Sequence, residues 1–368
     1  MQWSRITTFS PQKSQQEIWL CDDPQYQRRF NVDVTTGKDI DILSLKANLT
    51  EGFSEKVQRV KESREAVYRD PNNLERVKMC PVCSHSSEDA QKGLNIYGAQ
   101  YVICSNCSHY FVLDRPTEGQ AKNFYSQSVE YQSTYADKRS LETRVNQVAI
   151  PKAKYVIEQY ERQYGRKPKS ILDVGAGSGH FVYACRKLGV DCQGVEISEP
   201  GRVFAKENFG VELLDVDFLK GADQFNCDVV TFFGLIEHVT SPVGMLKAAK
   251  QALGSEGMVI ADVPRWNCVS TAVHASFPQS VVRHLDPMDH IQCFSDSSLA
   301  TAFVFAGYDV VAAWYFGMDA FELVMQVAHA SGDPKIVEAL KEKIPILQES
   351  FDSGRLSDFM VFAGIPTT

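Results

Sequence analysis

The chain has 368 residues, enough for two or three domains of ordinary size. It is 44% hydrophobic and 23% charged, which excludes a mainly disordered chain, and no apolar run approaches the ~18–20 residues that span a bilayer. With 46 acidic against 38 basic residues the net charge is −8, which argues against a nucleic-acid binder and against docking on anionic lipid. The first twenty residues, MQWSRITTFSPQKSQQEIWL, lack the apolar core of a signal peptide, so a cytoplasmic protein is expected.

Residues 1–79 read as an N-terminal extension, partly helical. Within it, 54–69 form a charged helix ended by Asp70-Pro71, its charges facing solvent. Two pairs follow, Cys80-Pro-Val-Cys83 and Cys104-Ser-Asn-Cys107, with twenty residues between them. Tetrahedral zinc takes four soft ligands, and each C-x2-C turn supplies two, so 80–113 reads as a zinc ribbon with a closed, structural site. The alternative, a pair of redox motifs, needs each pair at the start of a helix in a βαβ unit, and neither stands there. His85 and His109 lie close enough to replace a cysteine. The remaining cysteines, Cys21, Cys185, Cys192, Cys227, Cys268 and Cys293, are scattered and read as reduced, partly buried residues.

Residues 114–165 read as a helical linker or lid. They carry Tyr125, Tyr131 and Tyr135 and a helix at 141–164 that stops near Gly165, with Pro168 beyond. From 166 to 368 short β-branched runs alternate with helical segments, the pattern of a parallel sheet covered by helices. The expected strands are Ile171–Val174, Asp191–Glu196, Val211–Leu214, Asp228–Phe233, Met258–Asp262, Tyr308–Tyr315 and Asp358–Ala363, with a helical insertion at about 317–350. The expected fold is therefore α/β, a Rossmann-like doubly wound sheet of seven strands behind a small zinc ribbon.

The most specific chemical signal is Asp173-Val-Gly175-Ala-Gly177-Ser-Gly179-His180 between the first of these strands and a helix. Glycines let the backbone turn tightly and approach a ligand, and a helix N-terminus favours a negative group. A dinucleotide fingerprint needs Gly or Ala where His180 stands. Glu196 ends the next strand, where a carboxylate can accept from both ribose hydroxyls. Asp217 and Phe218 close the third strand, and Glu237-His238 follow the fourth at the edge where open α/β sheets bind ligands.

In this order the residues 170–315 resemble the class I S-adenosylmethionine (SAM) methyltransferases: D-x-G-x-G-x-G, an acidic strand end, D-F, then L-x-E-H-V-x-x-P. The resemblance implies SAM as cofactor, with Asp173 serving its amino group, Gly175, Gly177 and Gly179 its amino-acid end, Glu196 its ribose, Asp217 and Phe218 its adenine, and Ile197, Phe233, Gly234 and Leu235 as further cofactor-binding residues. The four cysteines with Tyr110-Phe-Val-Leu-Asp-Arg-Pro, Asn123-Phe-Tyr125 and the last strand extend the likeness over 80–368 to a subgroup with a ribbon before the methyltransferase domain, which includes sugar C-methyltransferases acting on nucleotide-linked sugars. Quinone O-methyltransferases carry a metal site on E-x-x-E-H. Here Gly234 holds its first position.

Transfer to carbon or oxygen needs a base, and His238 is the leading candidate, oriented by Glu237. The catalytic set is completed by His284 and His290 in the loop after the fifth strand and by Tyr125 in the lid, with Arg265 and Arg283 placed to meet a substrate diphosphate. The expected activity is methyl transfer to a carbon or oxygen of a sugar or glycan precursor, using SAM and a structural Zn2+. The alternatives are O-methylation of a quinone, polyketide or other small molecule, a nicotinamide-dependent oxidoreductase, or a non-enzymatic module whose ribbon binds a partner. The expected partner is a small molecule, neither nucleic acid nor membrane. The oligomeric state is left open.

Overall fold

A computed structural model of the chain describes residues 1–6, 14–21, 23, 27–45, 53–120, 141–277 and 284–367. Three strands open it, β1 (Trp3–Ile6), β2 (Ser14–Cys21) and β3 (Arg28–Thr36), paired antiparallel in sequence. Alternation explains β3: Phe30, Val32 and Val34 are buried on one face while Arg29 and Asn31 are exposed on the other. Helix α1 (Phe53–Tyr68) follows, one residue off the expected span, and Asp70 caps the turn at Pro71 by accepting from the Asn72 N–H.

β4 (Leu74–Arg76) pairs later with β8 (Asp114–Pro116). Between them a hairpin of β5 (Gln91–Ile96) and β6 (Ala99–Ile103) pairs onward with β7 (Tyr110–Val112). The hairpin brings the two C-x2-C turns face to face. Helix α2 (Ile150–Tyr164) ends on Gly165 in the left-handed conformation, φ 69°, as expected for that glycine.

The main sheet then builds up as β9 (Ser170–Val174), helix α3 (His180–Lys187), β10 (Asp191–Val195), helix α4 (Glu199–Phe209), β11 (Cys227–Phe233), helix α5 (Pro242–Ala252) and β12 (Leu253–Pro264). Helix α6 (Val269–Ser276) and the two-residue β13 (Gln292–Cys293) precede helix α7 (Asp296–Ala306) and β14 (Tyr308–Phe316). Helices α8 (Asp319–Ser331), α9 (Lys335–Leu340) and α10 (Ile344–Ser353) stand between β14 and the last strand, β15 (Phe359–Pro366).

Among the described residues the sheet has nine strands, in the order β1-β2-β3-β14-β15-β12-β11-β9-β10, where seven were expected. Two differences account for this. The expected strand at Val211–Leu214 reduces to one bridge between Leu214 and Val195. The N-terminal strands dock on the far edge, with β3 parallel to β14. Phe303 and Phe362 pack on one face with α5 and α7, and Val156, Tyr160, Val182 and Cys185 pack on the other from α2 and α3. β9, β10, β11, β12, β14 and β3 run parallel, so their C-terminal ends share one edge. The site lies along that edge. Among the described residues no helix is long and apolar enough to cross a membrane.

Candidate active site

The glycine loop leaves β9 with Gly175, Gly177 and Gly179 all at positive φ (75°, 53° and 75°), a backbone that only glycine adopts without strain. The Gly175 and Ala176 N–H groups donate to the Val195 carbonyl at 2.9 and 3.0 Å, pinning the loop to the end of β10. A Cβ on Gly179 would stand 2.8 Å from the Cβ of Ala205 on α4, and one on Gly175 2.9 Å from Leu235. A Cβ on Gly177 would meet no atom of a described residue within 4 Å, so among the described residues this glycine alone of the three borders open space.

Glu196 is buried at the end of β10. Its two carboxylate oxygens accept from the N–H groups of Gly177 (2.8 Å) and Ser198 (2.7 Å), which ties it to the loop and leaves further lone pairs for a ligand. Burial raises its pKa above the usual carboxylate range. Ile197, the next residue, is 73% exposed, an apolar surface beside that carboxylate. Asp173 is buried and accepts from the Thr231 hydroxyl at 2.7 Å, and burial pushes it up to about 7.

Asp217 is half-exposed and pairs with Lys220 at 2.7 Å. Phe218 is buried in the core, edge-on to Phe232 with ring centroids 5.8 Å apart, so its ring packs inward. Phe233 and Gly234 (φ 63°) end β11, and the Gly234 N–H donates to the buried Asp262 carboxylate at 2.7 Å. The other Asp262 oxygen pairs with Lys152 of α2, whose ammonium lies 4.6 Å from the Phe233 ring centroid. Neither residue stood out in the sequence.

Beyond Leu235, the structure brings Glu237, His238 and His290 together, with one ligand atom from each within 4.8 Å of the others. His238 Nδ1 lies 2.7 Å from the Asp289 carbonyl and 3.2 Å from its carboxylate, and Nε2 lies 3.8 Å from Glu237. Burial works against the charged imidazole, but Asp289 and Glu237 outweigh it and raise His238 to about 10. Glu237 is pushed up by burial to about 7, and burial lowers His290 to about 4. Among the described residues one Glu237 oxygen and the His290 Nδ1 are buried without a hydrogen-bond partner. The trio therefore has the donors to hold a divalent ion, with His290 in place of the acid that Gly234 lacks. Asp289 is the orienting partner that sequence reasoning missed.

The other expected residues fall elsewhere. His284 is fully buried, its Nε2 2.7 Å from the Thr271 hydroxyl on α6, and stands outside the trio. Arg265 does not face a substrate: it is 2% exposed and donates to the Arg355 and Ser357 carbonyls and to Asp296, all within 2.9 Å. Tyr125, Tyr131, Tyr135 and Arg283 lie outside the described residues.

The four-cysteine cluster adjoins the trio. Sγ atoms of Cys80 and Cys107 are 3.7 Å apart, and those of Cys83 and Cys104 3.5 Å. Ser84 and Ser108, one residue past each pair, are left-handed at φ 57° and 60°, which each tight turn requires. β13 pairs with β7, extending the small sheet to β13-β7-β6-β5. Through it, Tyr101 Oη donates to the His290 carbonyl at 2.8 Å, Val112 N–H to Ile291, His109 Nε2 meets Gln292 at 2.8 Å, and the Gln292 N–H reaches the Glu237 carbonyl. The cysteine-bearing sheet is thus the floor on which the trio rests.

Residues 151–313 match the family model of the methyltransferase domain. The segment carries the glycine loop, Glu196, Asp262 and the Glu237–His238–His290 trio. Among curated proteins, 107 residues are 30% identical to the ubiquinone biosynthesis O-methyltransferase of Acinetobacter baumannii, covering 27% of this chain and 45% of that protein. A 99-residue stretch is 35% identical to the corresponding enzyme of Coxiella burnetii, covering 25% and 42%. The chain thus spans less than half the length of these curated relatives. Similar solved structures include the 1,6-didemethyltoxoflavin-N1-methyltransferase of Burkholderia thailandensis (14% identity, TM-score 0.43, 76% of this chain and 100% of that one). A SAM-dependent methyltransferase from Archaeoglobus fulgidus is similar at 16% identity and TM-score 0.39, over 62% and 99%.

Proposed function

We propose that the protein is a SAM-dependent methyltransferase of a small molecule, with a structural zinc ion in the four-cysteine cluster. The observation that carries the reading is the geometry of the methyltransferase segment: three left-handed glycines, of which Gly177 faces open space, tied through the Gly177 N–H to a buried Glu196. When bound, SAM supplies an electrophilic methyl on sulfur. The loop backbone and Glu196 hold the nucleoside, the exposed Ile197 offers an apolar face to the base, and Glu196 fits the ribose hydroxyls.

On the acceptor side His238 holds or takes the proton. Asp289 fixes its Nδ1, which leaves Nε2 to face the acceptor beside Glu237. Because the two carboxylates stabilise the imidazolium, His238 becomes a competent base as pH rises toward about 10. The sulfur spacing of 3.5–3.7 Å suits a tetrahedral zinc, whose thiolates about 2.3 Å from the metal lie ~3.8 Å apart.

For the acceptor we favour a carbon or oxygen of a nucleotide-linked sugar or glycan precursor. The support is the four-cysteine cluster ahead of the methyltransferase segment. O-methylation of a quinone-like phenol is the second reading. It is favoured by the curated relatives and by a trio with metal-binding donors next to Gly234. The test is transfer of labelled methyl from SAM to a panel of nucleotide sugars and catechols, with and without divalent ions. Sugar labelling that withstands EDTA supports the first reading, catechol labelling that needs the ion supports the second, and no transfer to either refutes both acceptor assignments.

A further inference from the structure

Lys38 follows β3 on the shared C-terminal edge of the sheet. The turn that holds it is stitched to β14: the Gly37 N–H donates to the Tyr315 carbonyl, and Trp314 Nε1 donates to the Gly37 carbonyl, both at 2.8 Å. Gly37 is left-handed at φ 80°, which turns the chain over the edge. The Lys38 ammonium then lies 4.8 Å from the Phe316 ring centroid and 5.8 Å from Trp314.

A second lysine reaches the same group of rings. Lys152 lies 4.6 Å from the Phe233 centroid and 5.7 Å from Phe359, and Phe359 is 5.6 Å from Phe316. The rings form a continuous apolar wall between the two ammonium groups. Among the described residues Asp262 is the carboxylate there, and its oxygens are committed to Lys152 and to the Gly234 N–H. Lys38 makes no ion pair with a described residue. Among the described residues two cations thus share one anion in apolar surroundings, an arrangement that is costly unless something else supplies negative charge. Burial, with the neighbouring Lys152, pushes Lys38 down to about 7, the response of an amine that lacks a counter-ion.

The place of this pair follows from the sheet order. The glycine loop and Glu196 occupy the β9–β10 end. Gly234 and Asp262 mark the middle, and Phe359, Phe316 and Lys38 continue along the edge through β15, β14 and β3. On the methyltransferase reading, which this inference rests on, the nucleoside takes the first end and the acceptor the second. We propose that Lys38 anchors the methyl acceptor by binding an anionic oxygen carried on a planar group, a carboxylate or an enolate, with Phe316 and Trp314 against its face and Lys152 reinforcing the charge. The N-terminal strands then have a function beyond widening the sheet: they deliver a binding residue to the acceptor end.

The probes are benzoate and benzamide, equal in shape and different in charge, titrated calorimetrically into protein saturated with S-adenosylhomocysteine (SAH). Wild type should bind benzoate at least tenfold tighter than benzamide. Lys38→Met should erase that preference and leave benzamide binding unchanged, and Lys38→Arg should keep most of it. Because Lys38→Met removes an unpaired cation from apolar surroundings, its melting temperature should hold or rise, which separates loss of binding from loss of folding. Equal benzoate affinity in Lys38→Met and wild type, or no preference for benzoate in wild type, overturns the proposal. SAH binding is read in the same titrations: its absence defeats the methyltransferase reading, whereas SAH binding without the benzoate preference defeats only the role of Lys38.

Discussion

Gly177 and Gly210 make a matched pair that isolates what the glycine loop does. Both are left-handed, φ 53° and 64°, and in both a Cβ would meet no atom of a described residue within 4 Å. The first lies in the loop after β9, the second caps α4. Placing an L-residue in this conformation costs about 1–2 kcal/mol, so Gly177→Ala and Gly210→Ala should each lower stability by that amount, a shift of a few degrees in Tm. They should differ in ligand binding. If the open space beside Gly177 is where the amino-acid end of SAM lies, Gly177→Val loses at least tenfold in SAH affinity, about 1.4 kcal/mol, while Gly210→Ala binds as wild type. Thermal melts and calorimetric titration with SAH read the two effects separately. Equal SAH affinity in Gly177→Val and wild type would refute the assignment of the loop.

Other expectations follow from the packing and charges around the site. Cys83→Ser should lower zinc content and slow methyl transfer while leaving SAH affinity intact, because the cysteine-bearing sheet holds Glu237 and His290 and makes no contact with the glycine loop through those bonds; unchanged zinc and turnover would contradict it. Ser84→Gly should raise stability by up to about 1 kcal/mol in denaturant titration, since the serine is held at positive φ. His238, raised from 6.5 to about 10, contributes stability that is full below pH 6.5 and is lost as pH rises through 10. The initial rate should climb over the same window as its base form grows, and His238→Ala should flatten both profiles. Asp296 shows the opposite sign: burial would raise it, but Arg265 and Arg5 hold it well below 3.8, so its contribution is present above that pH and fades in acid. Asp296→Asn leaves both arginines short of their carboxylate and should cost about 3–5 kcal/mol, measured by denaturant unfolding.

The strands around the glycine loop were legible because their signal is local. A short apolar run, an acid and three glycines specify the β9 turn, and the structure places β9, β10, β11, β12, β14 and β15 within a few residues of the expected spans, except that β12 begins five residues early. The strand expected at Val211–Leu214 failed because it sits at the sheet margin and keeps one bridge only. The N-terminal strands were missed for a different reason. Their alternation at Phe30, Val32 and Val34 is visible, but their partner β14 lies nearly 280 residues away, and pairing at that distance leaves no local mark.

The same limit explains the site. Glu237 and His238 stand out as neighbours, whereas Asp289, which sets the charge of His238, comes from a loop 51 residues later. Phe218 fits a register for a ring over adenine, yet core packing against Phe232 claims it. Arg265 reads as a substrate cation until its neighbours are seen to be Asp296 and two backbone carbonyls.

Native mass spectrometry of the purified chain with and without SAH asks whether the glycine loop holds the nucleoside. One SAH per chain is expected in wild type, lost in Gly177→Val and retained in Cys83→Ser. A wild-type chain that takes up no SAH at saturating concentration would contradict it.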